Sequence, residues 1–80
     1  MQAAGRPVAD WIADLKSDDV LVREEAILVL GGLGPRATEA LPALTALLKD
    51  PAPTVRTKAA LAAWQIDRSV KEAEIGRAHV

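Results

Sequence analysis

The feature that most constrains this chain is that it is written twice. Displaced by 33 residues, "WIADLKSDDVLVREEAILVLGGL" (11–33) lies over "LTALLKDPAPTVRTKAALAAWQI" (44–66) without a gap. Seven positions are identical: Ala13/Ala46, Leu15/Leu48, Lys16/Lys49, Val22/Val55, Arg23/Arg56, Ala26/Ala59 and Leu28/Leu61. Leu33/Ile66 keeps its apolar character. Two Ala/Leu-rich helices resemble each other by composition alone, but the matched Lys and Arg are not explained that way. A fixed period of this length marks units that cannot bury an apolar face alone and must stack on a neighbour.

Each unit reads as two helices. In the first, Val8, Trp11, Ile12 and Leu15 recur at i, i+3, i+4 and i+7, which is one apolar stripe. Pro7 suits the first turn, where a missing N–H costs nothing. Asp18-Asp19 breaks the stripe, and Asp19 is placed to cap a second helix over about Val20 to Leu33. Val22, Ala26, Val29 and Leu33 form its expected core line, and Gly31, Gly32 and Gly34-Pro35 its stop. The second unit repeats the plan. Leu41, Leu44 and Leu48 line a first helix beginning near Thr38, "DPAP" (50–53) turns, and Val55, Ala59, Ala62 and Ile66 line the last helix. Pro53 falls where a helix tolerates proline, whereas Pro42 is expected to kink or shorten its helix.

Composition decides what such helices can build. Half of the 80 residues are apolar, yet there is no Phe or Tyr and only two Trp. The core must come from Leu, Ala, Val and Ile, which suits closely packed helices in one small domain. Four amphipathic helices would also satisfy an ordinary bundle, but the period favours an all-α fold, an α-solenoid of about two helix-turn-helix units.

"LKSDDVLVREEAILVLGGLG" and "LKDPAPTVRTKAALAAW" resemble HEAT repeats, specifically the short bacterial type also found in phycobilisome lyases. The matching pattern is Leu-Lys-Asp, a short turn, Val-Arg, then Ala and Leu at helical spacing, with "LG" and "ALPAL" between units. The resemblance covers about residues 7 to 67. It implies one unit at 7–34 and a second at 35–67, with 68–74 able to open a third. It also implies that the Arg after the Val lies between units and pairs with an Asp of a neighbouring turn. That assigns Arg23 and Arg56 to inter-repeat roles, with Asp18, Asp19 and Asp50 as partners. The first unit departs from the second in carrying Val20 where the second has Pro53.

With Val55 at zero on a helical wheel and about 100° per residue, Ala59, Ala62 and Ile66 cluster on the core side. Arg56 falls at the flank, and Thr57, Leu61, Trp64 and Arg68 fall opposite. If second helices line the concave surface, as the resemblance implies, then Glu24, Leu28, Thr57, Leu61, Trp64 and Arg68 form the presented face. Leu28, Leu61 and Trp64 are the apolar anchors there. For Trp64 a second role competes, that of covering the end of the stack or a further repeat. Trp11, on a core stripe, is a packing residue.

Other chemistry has little support. Lys plus Arg is 10 against 11 for Asp plus Glu, and the presented face mixes both signs with few stacking residues, which excludes nucleic acid. Glu24 and Glu25 point about 100° apart and share no site. Asp18-Asp19 is explained by capping. "GGLGPR" follows a helix and so is helix-stop chemistry, not a phosphate loop. No Cys is present, and no apolar run approaches the roughly 18 residues that span a bilayer. The expectation is a cytoplasmic, non-enzymatic scaffold without cofactors or a membrane role. It would bind a protein or peptide through the concave face, with further HEAT-like repeats in the intact chain. The alternatives are a fragment of a HEAT-repeat bilin lyase or isomerase and a regulatory appendage of a larger bacterial protein.

The last residues stand apart. "EIGRAHV" (74–80) fits neither unit and contains the only histidine, His79. It reads as the translation of a sequencing adapter, AGATCGGAAGAGCACACGTCTGA, when the first two bases complete the Glu74 codon. The frame then gives Ile-Gly-Arg-Ala-His-Val and a stop. On this reading 75–80 is a non-native tail on an interrupted gene, and His79 is no candidate for chemistry.

Overall fold

In the computed structural model the backbone is described for residues 5–78 and the side-chain surroundings for residues 5–72. Of the 75–80 tail only the backbone of 75–78 is described, and His79 and Val80 lie outside the described residues. Helix α1 spans Val8–Asp14 and α2 spans Val20–Leu33. A 3-10 segment, Gly34–Ala40, leads into α3, Leu41–Ala46, which tightens into a second 3-10 turn at Leu47–Lys49. Helix α4 spans Pro53–Ala78. Among the described residues there is no strand, so the fold is all-α.

Local chemistry sets most boundaries. Asp19 caps α2 by accepting from the Leu21 N–H at 2.9 Å. Gly34, at φ +61°, ends α2 in a conformation that a Cβ disfavours, and Pro35 follows. Asp50 caps the next turn by accepting from the Ala52 N–H at 2.9 Å, one proline short of α4. Pro42 sits in the first turn of α3, so it starts a helix rather than kinking one. At the position equivalent to Gly34 the second unit has Asp67, and nothing stops the helix there. Helix α4 therefore runs 26 residues against 14 for α2, and residues 68–74 continue it without a turn.

The core gathers Trp11, Leu15, Ala26, Ile27, Leu30, Leu44, Val55, Ala59, Ala62 and Ile66, with Ala37 and Ala40. Among the described side chains of α4 the buried ones are the four expected, Val55, Ala59, Ala62 and Ile66. On α2 they are Ala26, Ile27, Leu30 and Gly31, while Val22, Val29 and Leu33 are only half-buried. The expected line is rotated because α2 packs against both α1 and α4, which moves the centre of its buried arc between them. Leu48, expected on the α3 stripe, is 42% exposed, and Leu47 is half-buried instead. A 3-10 turn advances three residues per turn, so Leu47 follows Leu44 on the inner face and Leu48 swings out.

The two units meet where α2 and α4 cross, and one residue sets the spacing. A Cβ on Gly31 would lie 3.1 Å from Ala62 Cβ and 2.8 Å from Gln65 Oε1. Helix backbones approach this closely only where a side chain is missing. Gly31→Leu should therefore force the units apart, costing about 2 kcal/mol as overpacking. Urea denaturation should show this as a lower midpoint, and an unchanged midpoint would mean that the crossing is looser than described.

Candidate functional site

Asp50 ties the two units together. Arg23, from α2, places Nη2 3.2 Å from Asp50 Oδ1 and Nε 3.0 Å from Oδ2. The Nε contact is misaligned for a hydrogen bond and is Coulombic. Arg23 Nη1 also donates to the Ser17 carbonyl of its own turn at 2.7 Å. The Asp50 side chain is 6% exposed and that of Arg23 13%, so water competes weakly for the pair. One guanidinium thus joins the turn before α2 to the turn before α4.

The other residues expected at this joint do different work. Arg56 donates Nη1 to the carbonyl of Asp50 at 2.7 Å, which reproduces the Arg23–Ser17 bond one period later. Among the described residues it meets no carboxylate. Asp19 is occupied as the cap of α2, and Asp18 is exposed, with no cationic partner among the described residues. Among the described residues, Arg23–Asp50 is therefore the one ion pair that bridges the units. The 33-residue alignment puts Ser17, not an Asp, opposite Asp50.

A groove of about 360 Å³ runs along the seam between α2 and α4. Ile27 and Ala62 form its floor, and Leu21, Leu28 and Leu61 line it while staying 69%, 76% and 54% exposed. Glu24 and Glu25 come from α2, and Lys58 and Gln65 from α4. Glu24 is held across the seam, its Oε2 accepting from Thr54 Oγ1 at 2.6 Å. Among the described residues no group of His, Cys, Asp and Glu is arranged to hold a metal ion. A family model for HEAT repeats matches residues 8–75. The chain belongs to the HEAT-repeat family. No curated protein and no solved structure matches it significantly.

Within this HEAT pair, Glu24, Leu28 and Leu61 share the groove. Thr57 lies around α4 with Pro53, Thr54 and Lys58, in a separate shallow depression. Trp64 and Arg68 do not line the groove. The Trp64 indole is 55% exposed with the Arg68 guanidinium 5.2 Å from its centroid, and Arg68 also bonds Glu72 at 3.1 Å. Trp64 is the register equivalent of Gly31, so it occupies the flank where Gly31 meets α4 in the first unit. Leu21, Glu25, Lys58 and Gln65 belong to the groove and were not singled out from the wheel. The signal for Leu21 was its spacing of seven from Leu28, two turns along one face.

Removing one partner of the Arg23–Asp50 pair leaves a shielded charge uncompensated. Asp50→Ala and Arg23→Ala should each cost about 3 kcal/mol, and the double variant should cost well under their sum. Strictly additive losses in thermal denaturation would show that the two groups do not interact.

Proposed function

We propose that this HEAT-repeat pair is a protein-interaction module whose binding face is the α2–α4 groove. HEAT repeats commonly serve as protein-interaction scaffolds, and the family is generally non-enzymatic. The carrying observation is that three leucines from two repeats converge, largely exposed, on one seam. Leucines scattered singly over a surface need no explanation, whereas leucines gathered in a groove mark a contact site. Leu28 and Leu61 are the central anchors, Leu21 extends them, and Glu24, Glu25, Lys58 and Gln65 form the polar rim. Thr57, Trp64 and Arg68 form a separate contact surface on the flank of the second repeat. Among the described residues no helix is long and apolar enough to cross a membrane.

Trp64 also bears on the further repeats. A following unit packed as the second packs on the first would have to lie where the indole stands. Any such unit must sit further out, with Trp64 between the helices. Arg56, which meets no carboxylate among the described residues, is then the group available to a carboxylate of that unit, as Arg23 is to Asp50.

Because Leu28 and Leu61 are exposed, Leu28→Ser with Leu61→Ser should leave the melting temperature within a few degrees of wild type. The same pair should abolish retention of a protein partner identified by cross-linking in the source cells. Retention that survives the double substitution overturns the groove as the binding face. Trp64→Ala should spare groove binding and change stability by less than about 1 kcal/mol, as usual for an exposed side chain. A larger loss would assign Trp64 a covering role.

A further inference from the structure

The groove carries information about the shape and charge of its occupant. Leu21 and Leu28 are seven residues apart on α2, about 10 Å along the axis, and Leu61 faces the same seam from α4. An engineered apolar cavity of about 150 Å³ holds one benzene. The 360 Å³ here has room for two or three aliphatic side chains spread along two helical turns. The groove lies between two packed helices and is open along its length, as the exposures of the three leucines show. A ridge of side chains from a third helix fills such a seam by the same ridge-in-groove rule that packs α2 on α4.

The rim adds charge. Glu24 is held across the seam by Thr54, whose neutral hydroxyl leaves the carboxylate its charge. Glu25, on α2, and Lys58, on α4, both line the groove, and among the described residues neither is in an ion pair. The α2 wall is thus anionic and the α4 wall cationic, on either side of an apolar floor.

Resting on the groove reading above, we infer that the occupant is an amphipathic α-helix of another protein. Its apolar face spans i, i+3 and i+7, and its flanks carry one charge of each sign. The cationic side chain meets Glu25 and the anionic one meets Lys58. A helix charged alike on both flanks gains one contact and suffers one repulsion.

Three labelled helix-forming peptides test this against the full chain by fluorescence anisotropy in about 20 mM salt, where surface charges are little screened. All carry leucines at i, i+3 and i+7. Their flanks are mixed Lys/Glu, all Lys, or all Glu, a design indifferent to which way the helix runs. Wild type should bind the mixed peptide about threefold to fivefold more tightly than either uniform one, the scale of an exposed ion pair. Lys58→Glu should move the preference to the all-Lys peptide, and Glu25→Lys with Glu24→Gln to the all-Glu peptide. Leu28→Ser with Leu61→Ser should remove binding of all three. Equal affinities for the three peptides, or preferences unmoved by the charge reversals, overturn the inference. So does sedimentation as a dimer that the leucine substitutions dissolve, since a second copy would then be the occupant. If no peptide binds while the leucine substitutions still lose the cellular partner, the helix assignment fails and the groove reading stands.

Discussion

Everything in this molecule hangs on how the second unit is seated on the first, and Asp50 is where that seating is fixed. Its carboxylate takes Arg23 from the first unit and the Ala52 N–H of its own turn, and its carbonyl takes Arg56 from α4. Three separate segments thus converge on one residue that is 8% exposed. A paired charge taken out of water is not in itself a strong source of stability, because desolvation offsets much of the attraction. Its value here is geometric: the pair closes only when the two turns are in register. Burial of the aliphatic core supplies the driving force, and Asp50 selects the arrangement.

The second constraint is size. With no Phe or Tyr in the chain, the helices make their contacts by coming close. Gly31 against Ala62 is one such close approach. The same register position in the second unit holds Trp64, flanked in the buried direction by Ala63. The inner face of the pair is therefore built for intimacy and its outer flank is not. The long α4 adds to this asymmetry, because no glycine follows Ile66 to end it as Gly34 ends α2. The two units share a sequence pattern without being interchangeable.

The groove is a property of the pair. Leu21 and Leu28 come from one unit and Leu61 from the other, so neither repeat alone presents the surface. On the proposed reading, recognition is linked to the Asp50 joint that seats the two walls against each other.

Much of this was legible in the residues. The 33-residue period gave two helix-turn-helix units, the Asp19 cap and Gly34 stop gave the ends of α2, and the stripe from Val55 to Ile66 gave the buried face of α4. These are local or periodic properties, set by backbone chemistry within a few residues or by burial on one side of one helix. What needed the tertiary structure were the features that depend on a second neighbour. The buried arc of α2 shifted because two helices press on it. Leu47 replaced Leu48 inside because the end of α3 tightened to 3-10. Of two equivalent arginines only Arg23 met a carboxylate among the described residues, since only the first unit has the turn of the second beside it. Thr57, Trp64 and Arg68 parted from Leu28 and Leu61 because a wheel gives direction around one axis and not which of two flanks a neighbour covers. The sequence by itself determined the repeat and its helices, since periodic burial and capping are written residue by residue. The groove was decided only when α2 and α4 crossed, because it is the space between two elements and belongs to neither.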